Sequence, residues 1–260
     1  GALSAERTNI KIIHIEAGLR SFNLAMPEEH NRIETDKRST LLFCPTSTAV
    51  KHLQNEGITQ NVYQIGDVMY DAALYFAKIS KTESSILTKL NLTPKHFNLA
   101  TIHRAENTNN IERLKEIILS FNQIATKDKP IILPLHPRTK KVIDNDDCLK
   151  QLILQNTNIV IIEPISFIDM IALETSAYKI LTDSGGIQKE AYFHKTPCIT
   201  LRDETEWVET ITNGWNQLSG CNHKEIIKCY NTNPTTTPIS EYGDGNAANK
   251  IIDIIWQKKF

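Results

Sequence analysis

The sequence predicts an α/β protein built from two successive doubly wound domains, the first of them short of strands. Three observations carry that reading. Brief β-branched runs alternate with longer amphipathic runs, a polar stretch breaks the alternation once, and a glycine turn joins a strand to a helix at 184–186. At 260 residues the chain can bury two modest cores.

The first residues, Gly1-Ala-Leu-Ser-Ala-Glu-Arg-Thr8, contain no initiator Met and no signal-peptide core, and read as the tail of a helix entering a strand over 10–15. Strands follow at 41–44 and 62–65, with helices at about 47–56 and 69–79, which assigns 1–80 to the first domain. Lys81 to Lys95 mixes Thr, Ser and Pro with little periodicity and is the expected linker. From 96 to 240 the alternation restarts, with strands at 97–102, 131–135, 159–162, 179–182 and 198–201. Helices are expected between them at about 111–125, 148–155, 167–176 and 187–193. Five strands separated by helices make a complete doubly wound domain, whereas the three before the linker do not. Asn231 to Pro238 reads as a proline-containing loop, and a final helix at about 246–256 presents Ile251, Ile252, Ile254 and Ile255 as a stripe that should dock.

Composition narrows the function. A net charge of -1 and a charged fraction of 23% give an ordinary water-facing surface, without the Lys/Arg stripe and interleaved aromatics of a nucleic-acid binder. No apolar run is long enough to span a bilayer. The five cysteines, Cys44, Cys148, Cys198, Cys221 and Cys229, show no CxxC spacing, so reduced thiols in a cytoplasmic chain are expected instead of zinc or disulfides. The histidines lack HExxH spacing and no cluster supplies convergent metal ligands, so no metal and no cofactor are expected.

The most informative stretch is Leu181-Thr-Asp-Ser-Gly-Gly-Ile-Gln-Lys-Glu190. Ser184, Gly185 and Gly186 stand where free N–H groups and the positive end of a helix dipole suit a phosphate, and Glu190 follows about one helical turn further on, within reach of a sugar diol. The same residues also fit a tight turn with a serine cap. Two further strands end in His103-Arg104 and in His136-Pro-Arg138, placing cations and switchable protons at the same sheet edge. Glu16 ends the first strand, and Glu28 follows Pro27. Two carboxylates flanking a sugar carbon would serve proton removal and return, while Glu28 and Glu29 equally fit first-turn helix acids.

Several motifs, in order, resemble the UDP-N-acetylglucosamine 2-epimerase family. They are His14-Ile-Glu-Ala-Gly-Leu-Arg20, Met26-Pro-Glu-Glu-His-Asn-Arg32, Pro45-Thr-Ser47, Ile65-Gly-Asp67, Ile102-His-Arg-Ala-Glu-Asn107, Leu135-His-Pro137, Thr182 to Glu190, and Tyr242-Gly-Asp-Gly-Asn246. The resemblance implies a GT-B-like fold, two Rossmann-like domains with the site in the cleft, and a C-terminal helix at 241–260 crossing back to the first domain. It implies that the chain begins part-way through that domain, lacking the family's Gly-Thr-Arg-Pro-Glu and Gly-Asp-Thr segments, and therefore turns over poorly. Glu16, Glu28 and His103 match the family's catalytic positions. Arg104, His136, Ser184, Gly185, Gly186 and Glu190 match its UDP-contacting positions, with Phe167 or Met170 near the uracil.

The implied reaction inverts C2 of a UDP-N-acetylamino sugar by eliminating UDP to a 2-acetamidoglucal and adding it back, without metal or NAD. The implied partners are a UDP-sugar and, at full length, a second copy in a homodimer. Arg202 to Thr210, with Gly214-Trp-Asn216, looks more like members acting on modified sugars such as 2,3-diacetamido uronic acids. Trp207 is expected to pack. A hydrolysing 2-epimerase, a glycosyltransferase of the same fold and a nucleotide-sugar-binding module remain open alternatives.

Overall fold

A computed structural model describes residues 1–212, 214–233 and 240–259. The chain divides into two compact units, Gly1–Leu74 with Ile239–Phe260, and Tyr75–Pro238. The strands in both are parallel.

The first unit opens with α1 (Ala2–Arg7), β1 (Ile13–Ile15), α2 (Pro27–Arg38), β2 (Leu41–Cys44), α3 (Ser47–Asn55), β3 (Val62–Gln64) and α4 (Val68–Glu83). Its strands lie in the order β1-β2-β3. Strand β1 is shorter than the run from Ile10 suggests, because it pairs with β2 only from Ile13 onward and Ile10 is exposed. Pro27 starts α2 at a position whose N–H has no intrahelical partner, and Thr46 caps α3 by accepting from Ala49 N.

The second unit runs through α5 (Ile86–Lys89), β4 (Asn98–Thr101), α6 (Ala105–Thr108), α7 (Ile111–Ile124), β5 (Ile131–Pro134), α8 (Pro137–Asp144), α9 (Asp147–Leu154) and β6 (Ile159–Ile162). It continues with α10 (Phe167–Ser176), β7 (Ile180–Thr182), α11 (Gly185–Phe193), β8 (Cys198–Thr200), α12 (Val208–Thr212), β9 (Asn216–Leu218) and α13 (His223–Asn231). The segment 81–95, expected as a linker, holds the end of α4 and all of α5, whose Ile86 is buried. The proline-containing loop expected at 231–238 falls mostly at 234–238, outside the described residues.

The six strands lie in the order β6-β5-β4-β7-β8-β9. Counted from β4, that is the 3-2-1-4-5-6 order of a dinucleotide-binding sheet, whose direction of winding reverses between the neighbours β4 and β7. Both faces are covered. Ile131 and Leu133 pack with Leu114, Ile117, Ile118 and Phe121 of α7 on one face, while Ile132 packs with Leu99, Ile180 and Leu173 on the other. Burial on both faces is why β4 and β5 are buried at every residue and do not alternate. Each such Leu or Ile contributes about 1.5–3 kcal/mol relative to exposure.

The chain ends in α14 (Ala247–Gln257), which belongs to the first unit. Ala247 and Ile251 are buried against Leu41, Phe43 and Ile65, with Ile254 and Ile255 packed alongside. Ile252, expected in the same stripe, is exposed. The N-terminus of α14 is held by Asp71, whose carboxylate accepts from Ala247 N at 3.0 Å and Ala248 N at 2.7 Å. Gly66 and Gly243, both with positive φ, let two backbones touch. A Cβ on Gly66 would stand 2.8 Å from Tyr242 O.

Candidate functional site

In the second unit the site forms where β4 and β7 end, at the reversal of winding, where such sheets leave a crevice. Its organiser is Asp183, fully buried, which was quoted in the sequence motif but given no role there. Its carboxylate accepts from His103 N (3.0 Å), Arg104 N (3.0 Å) and Asn107 Nδ2 (3.1 Å), and lies 3.4 Å from His103 Nδ1. Thr101 Oγ1 and Thr182 Oγ1 hydrogen-bond at 2.6 Å, tying the two strand ends together. The loop after β4 is thus clamped to the end of β7 before α11 begins.

Ser184 is the N-cap of α11, its Oγ accepting from Ile187 N, and Gly185 and Gly186 are the first two helical residues. The cap uses one orphan N–H of the first turn and leaves others for a ligand. A Cβ added to Gly185 would meet Glu206 Oε1 at 3.3 Å and Arg104 Nη2 at 3.5 Å, so the missing side chain keeps this approach open. Both sequence readings of the turn, serine cap and anion-ready helix start, describe the same atoms.

Burial is the largest influence on His103 and lowers its pKa, the cations Arg104 and Arg138 and His136 add to this, and the Asp183 carboxylate opposes it. With Nδ1 turned to Asp183, Nε2 is the nitrogen left for chemistry. His136 caps α8 and accepts from Arg138 N at 3.1 Å through Nδ1, which puts a neutral ring's proton on Nε2. The two imidazoles stand 5.7 Å apart by ring centroids. Beside them a cavity of about 180 Å³ is lined by Ile102, His103, Leu135, His136, Met170 and Ile187. Met170 therefore lines this cavity, whereas Phe167 packs edge-on against Phe76, ring centroids 5.1 Å apart.

Glu190 lies on α11 beyond the glycines. Burial raises its pKa and Lys189 draws it back. Glu174 on α10 is fully buried, pushed well above the carboxylate range by burial and then by Glu190. His194, at the end of α11, is lowered to about 4 by burial and by Lys95. This acid-imidazole group beneath Glu190 was not foreseen from sequence, since a Glu inside an apolar helix gives no local sign of its partners.

In the first unit Glu16 follows β1 with φ of +68°, an uncommon left-handed backbone for a non-glycine residue. The turn continues to Gly18, where a Cβ would overlap Ala49 O at 2.3 Å. Asp36 fixes it, accepting from Gly18 N at 3.2 Å and pairing with Arg20 at 2.7 Å and His14 at 2.5 Å. Glu28 and Glu29 are both in the first turn of α2, but their surroundings differ. Glu29 is buried. Burial would raise its pKa, but hydrogen bonds from Ser21 N, Phe22 N and Ser21 Oγ, with Arg32, hold it below the usual range. Glu28 is exposed. The pair is thus divided between a structural anchor, Glu29, and an acid open to a ligand, Glu28.

Among the described residues no helix is long and apolar enough to cross a membrane. The family model described as UDP-N-acetylglucosamine 2-epimerase matches residues 1–256. A UDP-N-acetylglucosamine 2-epimerase homolog of Methanococcus maripaludis is 48% identical over 258 residues, 98% of this chain and 71% of that protein. A UDP-2,3-diacetamido-2,3-dideoxy-D-glucuronate 2-epimerase of Pseudomonas aeruginosa is 41% identical, over 98% of this chain and 70% of that protein. The solved structure of Methanocaldococcus jannaschii UDP-GlcNAc 2-epimerase in complex with UDP-GlcNAc and UDP matches with a TM-score of 0.87 at 41% identity, over 99% of this chain and 72% of that chain. The parallel α/β architecture is accordingly of the GT-B-like kind. Matched along nearly its whole length in sequence and in fold, the chain belongs to the UDP-N-acetylglucosamine 2-epimerase family.

Proposed function

We propose that the protein inverts C2 of a UDP-N-acetylamino sugar, interconverting UDP-GlcNAc and UDP-ManNAc for cell-surface polysaccharide precursors. The observation that carries this is the clamp at the β4–β7 reversal, where Asp183 fixes His103 and Arg104 beside the open, serine-capped start of α11.

The C2 hydrogen is not next to a carbonyl, so a carboxylate cannot remove it directly at a useful rate. Breaking the C1–O bond to UDP first leaves an oxocarbenium-like centre and acidifies C2–H. Loss of that proton gives a 2-acetamidoglucal. The diphosphate oxygen then adds back to C1 while a proton reaches C2 from the other face. Glu16 and Glu28 exchange the C2 proton in this scheme. His103 and Arg104, with the N–H groups of Gly185 and Gly186, stabilise the charge that grows on the departing diphosphate, each donor contributing about 3 kcal/mol in the transition state. Ser184 holds the turn, Glu190 accepts from the ribose hydroxyls, and His136 donates to the phosphate from Nε2.

A second reading, a modified UDP-2,3-diacetamido uronate as substrate, is favoured by the 41% identity to the Pseudomonas aeruginosa enzyme of that name. Cytoplasmic location and a homodimer at full length complete the proposal. The test is proton NMR of each UDP-sugar with the protein in deuterated buffer. Deuterium entering C2 while UDP stays attached supports the epimerase. Free UDP accumulating with N-acetylmannosamine would identify a hydrolysing enzyme, and UDP-sugars that bind without exchange at C2 would sink both.

A further inference from the structure

Trp207 is 6% exposed, and its indole Nε1 is buried without a hydrogen-bond partner among the described residues. A buried N–H with no acceptor is uncommon enough to need a reason. Packing and the neighbouring Lys189 cation account for a large aromatic ring there, but neither uses the N–H donor. The ring is held firmly. Lys189 Nζ lies 4.2 Å from its centroid, Trp207 N donates to Thr205 Oγ1 at 3.2 Å, and Thr205 Oγ1 donates in turn to Gln188 Oε1 of α11 at 2.7 Å. The indole is thereby fixed to the helix whose first turn forms the proposed phosphate cradle.

Its direction follows from Gly185. A Cβ built there would be 3.5 Å from Trp207 Nε1 and 3.5 Å from Arg104 Nη2, so both donors converge on the open side of the first residue of α11. Glu206 Oε1 approaches the same point at 3.3 Å, while its other oxygen pairs with the buried Arg202 at 3.2 Å. Arg202, paired with the other oxygen, shares the charge of Glu206, and Arg104 Nη2 offsets it at the point itself. The point suits an oxygen that accepts from both donors.

We infer that Trp207 Nε1 donates a hydrogen bond to an acceptor oxygen of the nucleotide-sugar held at the start of α11, making Trp207 a ligand-binding residue. The inference rests on the UDP-sugar reading above. Of the ligand's acceptor oxygens, those of the diphosphate and of the sugar are the ones suited to a helix start beside an arginine, and the test separates these two.

Protein labelled with ¹⁵N in its three tryptophans is titrated with UDP and with UDP-N-acetylglucosamine, the Trp207 indole signal being assigned by its loss in Trp207→Phe. A downfield shift of that proton with both ligands assigns the oxygen to the diphosphate. A shift with the UDP-sugar alone assigns it to the sugar. In either case Trp207→Phe should bind the shifting ligand about tenfold more weakly, the loss of one hydrogen bond to a charged or polar oxygen. Binding of both ligands with the Trp207 signal unmoved would overturn the inference and leave the proposed function standing. Failure of the wild-type protein to bind either ligand would overturn both. Should that variant fold poorly, Trp215→Phe and Trp256→Phe assign the Trp207 signal by elimination, and the wild-type titration then decides the matter.

Discussion

Replacing Asp183 by Asn changes one atom at the centre of the site and should be costly. The native carboxylate serves three donors, His103 N, Arg104 N and Asn107 Nδ2, all at 3.0–3.1 Å, and is fully buried. An amide of the same shape offers one oxygen in place of two and turns an NH2 toward at least one of those donors. One buried donor loses its acceptor and one new donor gains none, at ~1–3 kcal/mol for each unsatisfied group, or roughly 2–6 kcal/mol together. For a chain of this size each kcal/mol moves the melting temperature by about 2–4 °C, so a fall of roughly 4–24 °C is expected. The substitution also removes the one influence that raises the His103 pKa against burial, so that pKa should fall further. The assays are thermal unfolding at pH 7 and NMR titration of the His103 ring. A melting temperature within about 1 °C of wild type, with the His103 titration unmoved, would refute the clamp.

Three further outcomes follow from the same geometry. Burial keeps His103 neutral in the empty protein, and a bound diphosphate favours its charged form. UDP binding above about pH 7, where the phosphates are already ionised, should therefore take up a proton, and affinity should fall as pH rises. Calorimetry in two buffers of different ionisation enthalpy measures the uptake, and a value of zero contradicts it. Glu174→Gln addresses the buried acid. The folded pKa of Glu174 is raised above the ordinary 4.5, so the folded chain retains a proton that the unfolded chain releases. Wild-type stability is thus lost as pH rises from 4.5 toward the folded value, and the melting advantage of Glu174→Gln should be larger at pH 8 than at pH 5. An advantage independent of pH would show that Glu174 does not titrate this way. Gly66→Ala combines φ of +91° with a Cβ only 2.8 Å from Tyr242 O, and should destabilise the first unit by about 2 kcal/mol or more, read as a lower denaturation midpoint. A neutral effect would show that the two glycines need not touch.

Local period and capping made much of this fold legible. Helix α10 occupies the residues expected of it, and the Ser184 turn could be located because serine, two glycines and a β-branched run are all local signals. Elements defined by their partners were not legible. Asn216-Gln-Leu218 has no strand-like run of its own. It becomes β9 because β8 lies alongside and Asn216 Oδ1 accepts from Thr200 Oγ1 at 2.7 Å. Helix α13 was missed although Asn222 caps it through both Lys224 N and Glu225 N, a signal overlooked in a polar stretch. Helix α8 was missed because His136 was weighed as a ligand alone, when Pro137 behind it marks a helix start.

The same division between local and non-local runs through the site, and it explains why the cradle could be named before its support. Ser184, Gly185 and Gly186 act through their own backbone, so the sequence displays their role directly. Asp183, Glu174 and Trp207 are identified by what meets them from strands and helices distant along the chain, and identity alone leaves each ambiguous. A buried carboxylate surrounded by donors, as at Asp183, builds the loop after β4. A buried carboxyl facing another acid, as at Glu174, is pushed toward its neutral form. An indole with its N–H unpaired beside Gly185 is neither plain packing nor plain charge. Burial sets the stakes for each group, and the arrangement of donors around it decides its sign.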